Sequence, residues 1–206
     1  EEEEEQVGRK EEEAKWKAEA GRINDDKAKL QKDLGNAQNF QRKAQENLNS
    51  IRKQDIADLR GGKKPPYIVR YAFDALQILM QKKLVDVESF QAVIDKKEVC
   101  FIKDSFDYAG KELSSMTFLS DLVYFSENHG EEINDETIEL LEPYLRYDEN
   151  PSKHWGPWEH RICDPKLAGQ VSHFAQAVCE FVSNMALYSQ AIRIVGAEVA
   201  QTKAKA

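Results

Sequence analysis

Six basic residues, Arg60, Lys63, Lys64, Arg70, Lys82 and Lys83, crowd into positions 60–83 against a single acid, Asp74. The chain as a whole is acidic, with a net charge of −8. A cationic patch on an acidic module suits one face that meets an acidic partner through screened, reversible charge pairs. A solvated lysine-rich turn is the competing reading of the same residues. Catalytic signatures are missing: the sequence has no GxxxxGK[ST] phosphate loop and no GxGxxG after a strand. His154, His160 and Cys163, with His129 or His173, are the only grouping that suggests a metal. Their HxxxxxHxxC spacing fits no standard short zinc motif, and no CxxC pair supports it, so ordinary loop histidines are the simpler reading. No cofactor is implied. Cys100, Cys163 and Cys179 are odd in number and far apart, as buried thiols of a reducing compartment would be.

The elements that carry the basic patch are of two kinds. Residues 1–59 hold no proline and form a charged, elongated segment. Within it Leu30, Leu34, Ala37, Gln41, Ala44, Leu48 and Ile51 alternate in steps of four and three, the signature of a coiled-coil seam. Lys27 and Gln41 are polar seam positions, and after Ile51 the phase slips by about one residue. Near the other end Phe174, Val178, Phe181, Met185, Tyr188, Ile192, Val195 and Val199 repeat the same spacing. Asp164-Pro165 offers this second helix an N-cap and a proline at its first position. Two seams separated by a compact insert pair with each other most simply, and must then run antiparallel. Two unrelated amphipathic helices in one bundle are the alternative.

The insert follows GGKKPPYIVRYAF, residues 61–73. Gly61 can end the outgoing helix and Pro65-Pro66 forbids its continuation. A helix is expected over Tyr67–Gln81, with Ile68, Val69, Ala72, Phe73, Leu76, Leu79 and Met80 on its apolar face and Arg70, Asp74, Gln77 and Gln81 as an exposed stripe. Further helices are expected over Tyr108–Leu113, Met116–Phe125 and Asp135–Leu141, the last capped by Asn134 or Asp135. Val99–Ile102 has strand composition and is expected to pair with Leu84–Val87 as a small hairpin. Residues 150–160 read as a loop with two tryptophans. No stretch approaches the apolar length of a membrane helix, and the opening EEEEEQVGRKEEE reads as internal to a longer chain rather than as a signal peptide.

Taken in order, DIADLRGGKKPPYIVRYAFDALQILM, KELSSMTFLSDLVYF, INDETIELLEPYL and VCEFVSNMALYSQAIRIV resemble the stalk tip of dynein heavy chains, axonemal dyneins above all. The resemblance covers about residues 45–200. It implies an all-α fold, a long antiparallel coiled coil capped by a small helical bundle, with a short β-hairpin flap as an optional addition. It also implies a division into an outgoing stalk helix at 1–60, a microtubule-binding tip at 61–173 and a returning stalk helix at 174–206. Lys63, Lys64 and Arg70 are then the microtubule-binding positions. Gly61, Gly62, Pro65 and Pro66 form the stalk-tip hinge, and Leu30, Leu34, Leu48, Ile51, Phe181, Met185, Tyr188 and Ile192 the coiled-coil seam. The chain departs from the family pattern at Glu180, where lysine is common, at Gln170, where some members carry arginine, and at Ala197, where a proline usually interrupts the second coil.

The function so implied is reversible binding to tubulin, with affinity set by coil register, by a fragment without a catalytic site whose parent is an AAA+ ATPase motor. The expected setting is the axoneme of a cilium or flagellum, with the cytoplasm as alternative. A dynein light chain or neighbouring axonemal protein is a further candidate partner at residues 84–105; no nucleic acid or membrane partner is expected. The alternative function is a structural coiled-coil arm whose head binds a protein unrelated to microtubules.

Overall fold

The computed structural model describes residues 2–61, 65–81, 88–94, 97–103, 111–145 and 164–205. Lys63, Lys64, Gly62, the tryptophan loop, and His154, His160 and Cys163 lie outside the described residues, as do Leu84–Val87.

A proline-free sequence carries helix α1 from Glu2 to Asn49. The helix then breaks, where the seam phase slips. The Ser50 hydroxyl donates to the Asn47 carbonyl at 2.7 Å, the local side-chain competition that disfavours continued helix. A second helix, α2, covers Lys53–Gly61. Asp55 in its first turn reaches back to accept from the Arg52 backbone N–H at 2.8 Å, the returning half of a capping box. The outgoing rod is thus two helices rather than one.

Helix α3, Tyr67–Leu79, starts after Pro66. It ends by Gln81, whose φ of 51° is the left-handed turn that closes a helix. Strands β1, Glu88–Ile94, and β2, Lys97–Lys103, pair antiparallel with Phe90 opposite Phe101. The expected hairpin therefore exists, but the partner of Val99–Ile102 is the 88–94 segment, not Leu84–Val87. A β-branched and aromatic run, SFQAVI, supplies the better strand. Helix α4 spans Phe118–Asn128, and a 3₁₀ turn, Gly130–Glu132, leads to α5, Asp135–Leu145. Asn134 caps α5 by accepting from the Thr137 N–H at 2.8 Å.

Asp164 caps as its sequence suggests, accepting from the Lys166 N–H at 2.9 Å, with Pro165 at the first helical position. That helix, α6, is short, Pro165–Val171, and Ser172 adopts an extended conformation. The long returning helix, α7, then runs from His173 to Lys205, unbroken through Ala197. The single returning helix expected from Asp164 onward is therefore two.

The rod and the head share one core. Phe174, at the start of α7, stacks on Phe73 of α3 at 5.5 Å between ring centroids and on Phe118 of α4 at 6.2 Å. Leu76, Leu113, Leu122, Ile133, Leu141 and Tyr144 close around this aromatic centre, each at most 2% exposed. Burial of each such side chain is worth about 1.5–3 kcal/mol against leaving it in water.

Candidate functional site

The coil is built by α1 and α7. Ala37, Ala44, Leu48 and Ile51 are buried against Phe181, Met185 and Tyr188, while Leu30 and Ile192 are half-buried. Leu34 departs from the expectation: it is 38% exposed and stands at the rim rather than in the seam. Polar contacts fix the alignment. Asn47 donates to Glu180 at 2.7 Å and accepts from Asn184 at 2.9 Å. Lys29 pairs with Glu198 at 2.5 Å, and Asp55 meets His173 at 3.3 Å. As the α1–α2 position falls from 55 to 47 to 29, its partner rises from 173 to 180 and then 198. That is one antiparallel register along the whole overlap. Glu198 raises the Lys29 amine above its ordinary value, mainly by its hydrogen bond.

Glu180 was a departure that removed a positive charge. Here it has a structural role: it accepts from Asn47 across the coil and from Gln176 of its own helix at 3.2 Å. Gln41 also differs from expectation. Its side chain does not soften the α1–α7 seam but donates to the Ser126 carbonyl of α4 at 2.9 Å.

At the head, α3 is enclosed rather than amphipathic. Asp74 and Gln77 are fully buried, at 0% and 1% exposure, so the expected exposed stripe is wrong at its centre. The cause is the 111–113 helical turn and α5, which cover that face; Gln77 donates to Glu112 at 2.8 Å. Gln81, at the end of the stripe, is exposed and donates to the Glu132 carbonyl and to Thr137. Arg70 is half-buried on the first turn of α3. Arg60 is tied down: its guanidinium donates to the Leu113 carbonyl, fixing α2 to the head. An open cavity of about 210 Å³ between α3 and α4 is lined by Leu76, Met80, Ser115, Phe118 and two carboxylates, Glu112 and Asp121. Its sign is wrong for an acidic partner.

At the junction between rod and head an acid is enclosed by a cation and an imidazole. Asp55 is buried, accepts from the Arg52 side chain at 2.8 Å and from its backbone, and faces His173. The Arg52 side chain first, then its backbone N–H, hold the Asp55 carboxyl down at about 2. Of the candidate metal residues, only His129 and His173 lie among the described ones, and each meets a carboxylate of its own. His129 pairs with Glu132 at 2.9 Å, and His173 with Asp55. Among the described residues no group of three metal-ligating side chains converges. Cys179 is a buried free thiol in α7.

Several positions that tie the coil together had no signal in the motifs. Asp55 reads in sequence as one more acid on a charged helix, yet its spacing to Arg52 is that of a capping box. Asn47 could have been found only by aligning the two seams.

No family model matches the chain. It is 31% identical over 177 residues to the Dynein gamma chain, flagellar outer arm, of Chlamydomonas reinhardtii, a match that takes in 84% of this chain. It is 35% identical over 102 residues, half of the chain, to Dynein axonemal heavy chain 8 of Mus musculus. The chain spans only 3% and 2% of the lengths of these relatives. Among solved structures it resembles one described as the microtubule binding domain of dynein-C, at a TM-score of 0.55 and 23% identity, covering 81% of this chain and 93% of the other. The chain is homologous to a segment of axonemal dynein heavy chains and shares the fold of a dynein microtubule-binding domain.

Proposed function

We propose that this segment is the stalk tip of an axonemal dynein motor and binds tubulin in the microtubule wall reversibly. Lys63, Lys64 and Arg70 supply the charge that meets the acidic track. Gly61, Gly62, Pro65 and Pro66 form the joint between rod and tip, and the coil on either side of them sets affinity by its register. Residues 1–60, 61–173 and 174–206 then serve as outgoing stalk, binding tip and returning stalk. The setting is the axoneme of a cilium or flagellum, and the 84–105 insert is a site for a light chain or neighbouring axonemal protein.

The observation that carries this reading is the stack of Phe73 on Phe174. The helix that bears Arg70 packs through Phe73 directly on the first turn of the returning coil helix. Axial displacement of α7 is therefore delivered to α3 through a close-packed aromatic contact rather than through a loop, and packed interiors transmit strain of this kind. A coiled-coil arm with an unrelated protein-binding head would not require that coupling.

Co-sedimentation of the 206-residue chain with microtubules at graded salt tests the reading. Binding that weakens steeply with salt supports charge-led contact, because exposed pairs are screened over about 8–10 Å. No sedimentation at low salt, from a chain that is folded by circular dichroism, removes the tubulin reading and leaves the structural arm.

A further inference from the structure

The corner between α4 and α5, residues 126–135, is seated on both coil helices at once. On the outgoing side Gln41 of α1 donates to the Ser126 carbonyl, in the last turn of α4 where carbonyls have no helical donor. On the returning side the Arg193 guanidinium of α7 donates to the Ile133 carbonyl and to the Asp135 carboxylate. Between these tethers Gly130 lies flat on α7. A Cβ there would stand 2.5 Å from the Tyr188 ring and 3.0 Å from the Met185 methyl, so only glycine fits without displacing a neighbour. The Tyr188 hydroxyl is pushed up by burial and then by Glu131 of the same corner.

We propose that this corner is a register latch. It ties α1 and α7 through separate side chains to one compact turn, so the helices cannot slide past each other while both tethers hold. A slide of four residues, about 6 Å at 1.5 Å per residue, exceeds the reach of a hydrogen bond and must break one tether or the other. Two of the acceptors are main-chain carbonyls, and Ser126 and Ile133 are buried, so neither carbonyl is easily re-satisfied by another side chain. Gln41 and Arg193 are therefore register-determining residues. Neither belongs to the charged tip, and both lie well down the rod from Arg70. The latch rests on the proposed stalk function only for its consequence at the microtubule; its effect on register belongs to the free chain.

The test is a distance measurement in that free chain. Spin labels at Lys43→Cys on α1 and Lys203→Cys on α7, both exposed, report axial displacement, with Cys100→Ser, Cys163→Ser and Cys179→Ala as background. With the latch intact a single separation is expected. The pair Gln41→Ala and Arg193→Gln should add a second population displaced by about 5 Å, a four-residue slide at 1.5 Å rise seen obliquely. The ratio of shifted to unshifted register should rise about tenfold, equivalent to about 1.4 kcal/mol. A single unchanged distance in the double variant overturns the latch. Should the double variant not fold, Gln41→Ala alone opens the α1 tether by removing one half-buried side-chain amide and should give a smaller shift in the same direction. No shift in that variant overturns the latch equally. Because no microtubule is present, a chain that responds here yet fails to bind tubulin would sink the proposed function and leave the latch standing.

Discussion

The Asp55 carboxylate lies 3.3 Å from His173 Nδ1, joining the first turn of α2 to the first residue of α7. Both coil helices are interrupted at this level, the outgoing one at Ser50–Arg52 and the returning one at Ser172. The contact therefore bridges two breaks, and it places a joint in the rod some ten residues before Gly61-Gly62.

Asp55 should make stability sensitive to acid. Its carboxyl sits at about 2 in the folded chain against an ordinary 3.8. A depressed carboxyl contributes stability that is complete above about pH 4 and fades as pH falls towards 2. Asp55→Asn should abolish that part of the acid dependence. Asp55→Ala should cost about 1–2 kcal/mol through the lost cap, read as a lower urea midpoint at neutral pH. An unchanged midpoint would show that Arg52 and His173 do not stabilise the junction through this carboxylate.

Asn47→Ala removes the donor to Glu180 and the acceptor for Asn184. The expected cost is about 1 kcal/mol, since Glu180 keeps its bond from Gln176. A broader distribution of coil registers in spin-label distances should accompany it, because polar contacts across a seam specify alignment more than they stabilise it. A narrow distribution identical to that of the unaltered chain would assign register to packing alone.

Charge at the tip should be tested at more than one position. Arg70→Glu would set a second carboxylate one helical turn from fully buried Asp74, so it confounds folding with binding. Arg70→Gln introduces no new charge and should weaken microtubule binding several-fold in a chain shown to be folded by circular dichroism. Lys63→Ala with Lys64→Ala should do the same and also flatten the salt dependence, as fewer screened pairs remain. Full binding by both variants would remove these residues from the interface.

The β1–β2 hairpin should be separable from the helical core. Two strands alone are marginal in water, and β2 lies alongside α5 for support. Replacing residues 84–105 by a short Gly/Ser linker should leave far-ultraviolet helicity intact. A molten product, with exposed apolar surface by dye binding, would place strand residues in the core instead.

Much of this architecture was legible because it rests on periodicity. The four-three spacing from Phe174 to Val199 gave the returning helix, and the same spacing from Leu30 to Ile51 gave its partner. Asp164-Pro165 and Asn134 announced helix starts through the chemistry of capping. What stayed hidden depends on partners distant in sequence. Asp74 and Gln77 occupy the polar side of an amphipathic pattern, and only the helical turn at Glu112 and α5 makes that side interior. Gln41 reads as a weak seam residue until α4 is seen to offer it a carbonyl. The break at Ser50 was foreshadowed by the phase slip, but Asp55 and His173, which meet there, are 118 residues apart.

In the proposed function, coil register sets affinity for microtubules. The direct measurement fuses both ends of the coil to a rigid antiparallel coil that imposes either the present alignment, Asn47 beside Glu180 and Asn184, or one displaced by half a heptad. Microtubule affinity is then measured for each by co-sedimentation. The two dissociation constants should differ by about tenfold, or about 1.4 kcal/mol. Equal affinities from two folded registers would contradict it and reduce the coil to a spacer.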